Sequence, residues 1–182
     1  MYTKMLQDIT QKIKIPEGVT VQVENGLIRI NGPKGENQRK LSHRNVKIAV
    51  EEGNIVLSSK KPSKREKRII GTFKAHIRNM IKGVEEGFTY KLKTASSHFP
   101  ITVNLEGKEL VVKNFFGEKI PRRCTIPEGV NVKVDGSIIT VESTDIEKAG
   151  KTAGLIEQAT RITRRDRRVF QDGIYITEKP AR

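Results

Sequence analysis

The segment RITRRDRRVFQDGIY places Arg161, Arg164, Arg165, Arg167 and Arg168 within eight residues. Guanidinium groups this dense repel one another, so the segment gains most when a polyanion opposes it. Arginine also supplies planar, bidentate donors that fit phosphate oxygens. Phe170 and Tyr175 add rings able to stack on unpaired bases. The competing reading is a solvated segment whose aromatic rings merely dock on a sheet.

Other chemistry is thin. His43, His76 and His98 stand far apart, and none has a metal-ligand spacing such as two histidines on one helical face with a glutamate. His76 falls beside Phe73 and Met80 at helical spacing, which predicts an edge-of-core residue. Cys124 is the single cysteine, so neither an intramolecular disulfide nor a cysteine-based zinc cluster can form within the chain. Arg122 and Arg123 precede it and would lower its pKa if it were exposed, whereas a buried strand position would leave it inert. No Gly-x-Ser-x-Gly, paired-carboxylate or phosphate-loop signature is present, so neither catalysis nor a cofactor nor a small-molecule substrate is expected.

Two weaker candidates concern anions. NGPKG at Asn31 to Gly35 could offer backbone amides and Lys34 to a phosphate, but it lacks nucleotide-loop spacing and also reads as a plain strand connection. SSKKPSKREKR brings Lys60, Lys61, Lys64 and Arg65 together, continuing as a stripe of Lys67, Lys74, Arg78 and Lys82 on a predicted helix. A polar stripe of that kind is also what any solvent-facing helix shows, so the four loop cations are the better secondary contacts.

The whole chain points the same way. Its 182 residues carry 35 Lys and Arg against 21 Asp and Glu, a formal charge of +14. That surplus favours a polyanionic partner, with nucleic acid the commonest and a membrane surface the rival. No apolar run approaches the roughly 18 residues that span a bilayer. The start MYTKMLQDIT has no signal-peptide core, so a cytoplasmic protein without membrane association is expected.

The elements that must carry these residues are written twice. Sliding the chain by 111 residues lays IPEGVTVQVENGLIRI on IPEGVNVKVDGSIITV without a gap. In both copies Pro and Gly precede alternating valines, the pattern of a strand with one buried face. Asn25-Gly26 is a two-residue hairpin turn that pairs Val23 with Ile28 and Val21 with Ile30. In the second copy either Asp135-Gly136 or Gly136-Ser137 could turn the chain. Only the latter repeats the pairing, Val134 with Ile139 and Val132 with Val141, and that register is predicted. Capping boxes at Ser63–Glu66 and Thr144–Glu147 then open two amphipathic helices. KIAVEEGNIVLSS and ITVNLEGKELVVKN read as further hairpins turning at Gly53 and near Gly107, and TYKLKTAS as a strand. NFFGEK reads as a strand end turning at Gly117, with one of Phe115 and Phe116 buried and the other, Phe116 for choice, facing a partner. The predicted class is α+β: two tandem duplicated domains, each an antiparallel β-sheet packed against a helix, spanning 1–82 and 83–182.

The doubled IPEGV hairpins, NGPKG, GTFKAHIRNMIKGVEEGF, HFPI, NFFGEK and the ending LIEQATRI…RRVFQDGIYITEK resemble the large-ribosomal-subunit protein six family in its archaeal and eukaryotic form, over essentially the whole chain. HFPI, NFFGEK and DGIY point to the archaeal branch, while Phe115-Phe116 stands where the family more often has Phe-Leu. The resemblance implies a structural ribosomal protein with no catalytic role. It would bind large-subunit ribosomal RNA chiefly through its second domain, near the stalk base and the sarcin-ricin loop, with neighbouring ribosomal proteins as contacts and translation factors docking nearby. The family's RNA-facing segment falls on Lys151, Arg161, Arg164, Arg165, Arg167, Arg168 and Tyr175, and Lys179 and Arg182 extend it. A non-ribosomal RNA-binding or chaperone protein of the same charge is the alternative from the residues alone.

Overall fold

Both IPEGV copies fold alike for a local reason: Gly18 and Gly129 sit at φ 84° and 83°, a left-handed conformation that glycine adopts without steric cost. The computed structural model describes residues 8–60, 62–97, 99–166 and 168–180. The chain divides into two compact units, Met1–Gly87 and Phe88–Arg182.

In the first unit the strands are β1 (Ile9–Lys14), β2 (Thr20–Glu24), β3 (Leu27–Gly32), β4 (Gly35–Lys40), β5 (Lys47–Glu51) and β6 (Asn54–Ser59), followed by α1 (Lys64–Glu85). They form two three-stranded antiparallel sheets, ordered β1-β6-β5 and β2-β3-β4. The predicted hairpin register holds, with Val23 opposite Ile28 and Val21 opposite Ile30, and Asn25 and Gly26 take the two positive φ values of a type I′ turn. The Ser63 and Glu66 capping box closes α1 as its spacing predicts. Ile70, Ile77, Met80, Ile81 and Val84 are buried against Ile13, Ile28, Ile30, Ile55 and Leu57 from both sheets, each contributing roughly 2 kcal/mol of apolar burial. The helix does not stop at Lys82. Gly83 and Val84 are buried within it, and the first unit runs to Gly87, five residues beyond the Lys82 expected from the sequence.

The second unit holds β7 (Phe88–Ala95), β8 (Thr102–Glu106), β9 (Glu109–Lys113), a 3-10 turn at Phe115–Gly117, β10 (Arg122–Thr125), β11 (Val130–Asp135), β12 (Ile138–Ser143), α2 (Ile146–Ala159) and β13 (Gly173–Glu178). A four-stranded sheet runs β11-β12-β7-β13 and a three-stranded one β10-β9-β8, all pairs antiparallel. The Gly136-Ser137 register is the one adopted, with Val134 opposite Ile139 and Val132 opposite Val141. Each unit thus spreads its strands over two sheets rather than one. The second cap is displaced from expectation: Asp145, not Thr144, is the N-cap, its carboxylate accepting from the Glu147 amide at 2.9 Å. A carboxylate suits the helix N-terminus better than a hydroxyl, adding charge to the hydrogen bond.

Candidate nucleic-acid interface

α2 ends at Ala159 and the chain re-enters the sheet as β13, so the arginine segment is a loop closed at both ends. Thr160, 3% exposed, accepts the Ile174 amide on its Oγ1 at 2.9 Å. Glu157 Oε1 accepts the Ile176 amide at 3.4 Å. These two bonds occupy edge amides of β13 and fasten it to the end of α2. On the far side Asp172, 2% exposed, accepts from the Ser97 amide at 2.8 Å and from Ser97 Oγ at 2.6 Å, joining the loop's end to the segment after β7.

Arg122 anchors the near end. It grips Glu118 bidentately, Nε to Oε2 at 2.8 Å and Nη2 to Oε1 at 2.6 Å, and lies 4.3 Å from the Phe115 ring centroid. Its Nη1 donates to the carbonyl of Ala159 at 3.0 Å, which the end of α2 leaves without an intrahelical partner, and to that of Arg161, two residues further on, at 3.2 Å. The guanidinium beside Glu118 holds that carboxyl below its ordinary range, chiefly through the hydrogen bond. In the sequence Arg122 stands out only as a neighbour of Cys124.

The described loop arginines, Arg161, Arg164, Arg165 and Arg168, are all exposed, yet they are held differently. Arg168 folds onto Asp166, Nη2 to Oδ2 at 2.7 Å. The pairing lowers the Asp166 pKa and raises that of Arg168. Arg165 lies over Phe116 and Phe170, 5.1 and 4.9 Å from their ring centroids. The adjacent phenylalanines stand in a 3-10 turn rather than at the strand end expected; Phe115 is buried, and Phe116 is half-buried and packs on Phe115 and Phe170 rather than standing bare. The backbone bends sharply to allow this: Phe116 has φ 51° and Arg164 φ 59°. Such left-handed non-glycine residues cost about 1–3 kcal/mol each.

Tyr175, on β13, donates from its hydroxyl to the Gln171 carbonyl at 3.1 Å, bracing the loop from within. Lys151 on α2 and Lys179 just after β13 are exposed. The structure brings neither into the loop's hydrogen bonds among the described residues. Arg167 and Arg182 lie outside the described residues, as do Lys61 and His98. Lys60, Lys64 and Arg65 are exposed on the first unit, around the start of α1.

The remaining candidates resolve plainly. In NGPKG, Pro33-Lys34 joins β3 to β4, and the Lys34 amide donates to the Val84 carbonyl at 2.9 Å. That amide is therefore taken by the end of α1. Cys124 is buried on β10, and burial pushes its thiol up, away from reactivity. His43 accepts the Asn45 amide on Nδ1 at 3.3 Å, and His76 is half-buried on α1. Among the described residues no helix is long and apolar enough to cross a membrane.

Fold and loop define a class: a tandem α+β repeat protein whose second unit pins an exposed arginine loop between a helix and an edge strand. The chain belongs to the ribosomal protein L6 family, whose model it matches over residues 15–87 and 99–173. It is 46% identical to the large ribosomal subunit protein uL6 of Aeropyrum pernix over 94% of both chains. Against the protein of that name from Archaeoglobus fulgidus the identity is 47%, over 92% of this chain and 88% of the relative. For that of Methanosarcina mazei it is 44%, over 96% and 99%.

Proposed function

We propose that this protein is a structural constituent of the large ribosomal subunit in the cytoplasm. It binds large-subunit ribosomal RNA through the second unit, near the stalk base and the sarcin-ricin region, and thereby supports the site where translation factors dock. Neighbouring ribosomal proteins complete its surroundings, and it performs no catalysis. Arg161, Arg164, Arg165, Arg167 and Arg168 supply most of the phosphate contacts, with Lys151, Tyr175, Lys179 and Arg182 extending the surface. Lys60, Lys61, Lys64 and Arg65 of the first unit are secondary contacts.

The single observation that carries this reading is the pinned, outward-facing arginine loop. Its cations are held close together despite mutual repulsion, which is useful only where phosphates oppose them. Arginines on a projecting loop reach the backbone and shallow minor groove of an RNA duplex, so recognition is by phosphate neutralisation and shape with little base readout. Affinity falls with salt, at a log-log slope of up to about −0.9 per phosphate contact. Sedimentation of large subunits through a high-salt wash tests the assignment. The protein stays on the particle if it is an integral component. Its quantitative release, with affinity for free RNA retained, would instead indicate a general RNA-binding protein.

A further inference from the structure

Arg165 differs from its neighbours in what holds it. Its guanidinium rests on two rings, Phe116 and Phe170, which meet edge to face with centroids 5.9 Å apart. No carboxylate or carbonyl among the described residues takes its N–H donors. Arg168 is already committed to Asp166, and Arg122 to Glu118 and the carbonyls of Ala159 and Arg161.

Backbone strain falls on the same few residues. Phe116 at φ 51° carries one ring of the seat, and Arg164 at φ 59° immediately precedes Arg165. Left-handed backbone at bulky residues persists only where surrounding structure over-determines it, and it concentrates at binding sites. Phe115 fills the buried position, and Phe116 packs at the edge of the same core while its ring also meets Arg165. The two bends fall at Phe116 and immediately before Arg165, the two residues in contact.

We infer that Arg165, seated on Phe116 and Phe170, is a preformed bidentate site for one phosphodiester group of the RNA, and that the two rings are its positioning residues. A guanidinium whose face lies on aromatic rings keeps its in-plane fork of N–H donors available, and that fork matches two phosphate oxygens. Fixing the side chain before binding also removes part of the ordering cost that free arginines meet on association. The inference rests on the RNA-binding reading and goes beyond it, because the arginines of the loop then carry unequal weight.

Lysine substitutions separate fork from charge. The full chain is titrated, by filter binding, against archaeal large-subunit ribosomal RNA transcribed in vitro. Arg165→Lys is expected to weaken binding about tenfold, the scale of one charged bidentate contact. The salt dependence should change little, because the positive charge remains. Arg161→Lys and Arg164→Lys keep what those positions are proposed to supply and should lose less than about threefold. Phe170→Leu preserves apolar packing and net charge, so it should reproduce most of the Arg165→Lys loss. The double variant Arg165→Lys/Phe170→Leu should then be little worse than Arg165→Lys alone, as coupled residues are. Equal losses for lysine at 161, 164 and 165, with the wild type still binding tightly and salt-sensitively, would overturn the inference and leave the RNA-binding reading standing. No binding by the wild type overturns both.

Discussion

Arg122 shows how one side chain can place a whole loop. It joins the turn after β9, through Glu118, to the carbonyls of Ala159 and Arg161 at the end of α2. Arg122→Ala should lower the stability of the second unit by about 2 kcal/mol, since bonds to charged groups are the stronger kind. A shift in denaturation midpoint reads this, and a change under about 0.5 kcal/mol, the range of ordinary surface substitutions, would show that the anchor is dispensable. Thr160→Val tests the other fastening. It keeps the shape but removes the acceptor of the Ile174 amide, leaving a buried donor unsatisfied at a cost of about 1–3 kcal/mol. These residues were not legible in the sequence for a physical reason: Arg122 meets partners far along the chain only once α2 has packed, whereas the loop arginines announce themselves by density alone.

At the scale of elements, legibility followed local chemistry. Asn25-Gly26 and Gly136-Ser137 specify their hairpins because turn type fixes register, and both registers are the ones adopted. β4, GENQRK, is not legible as a strand because it carries no apolar residue to alternate. In β13, GIYITE, Ile174 and Ile176 do alternate with Tyr175 and Thr177, but over too short a run beside the arginine segment to stand out. The Ser63 cap is specified by its spacing from Glu66, and it carries a pH dependence. Hydrogen bonds from Ser63 first, then from the Glu66 amide and Asn45, hold the Glu66 carboxyl down at about 2, below its ordinary 4.5. A carboxyl depressed in the folded state stabilises fully above its unfolded pKa and less as pH falls through the folded one. The melting-temperature advantage of wild type over Glu66→Gln should therefore be largest near neutrality and shrink between pH of about 4.5 and about 2; a constant difference across that window would contradict the capping assignment. Gly32 belongs here too. A Cβ at this position would stand 2.8 Å from the Val84 carbonyl oxygen and 2.9 Å from Val84 Cγ2, so Gly32→Ala should destabilise the first unit by about 1–3 kcal/mol, as overpacking does. An unchanged denaturation midpoint would mean that α1 and β3 separate without penalty.

The molecule as a whole is one unit used twice and then specialised once. IPEGV has the same part in both copies. It sets the start of a hairpin whose valines face the core, and the family match over 15–87 and 99–173 covers both repeats. Among the described residues, only the second unit inserts an arginine loop between its helix and a returning strand. The cations behind the formal charge of +14 include two distinct sets: α1 carries Lys74, Arg78 and Lys82 beside its buried stripe, while the loop gathers its arginines on a fastened turn.

The comparison of those two sets tests the central claim most directly. Binding to large-subunit ribosomal RNA is measured across a salt series for wild type, for Arg164, Arg165, Arg167 and Arg168 replaced together by Ala, and for Lys74, Arg78 and Lys82 replaced together by Ala. The loop variant should bind far more weakly, with a log-log salt slope shallower by about three to four, one per lost phosphate contact; the helix variant should change the slope by less than about one. Equal losses from the two sets would contradict the assignment of RNA binding to the arginine loop.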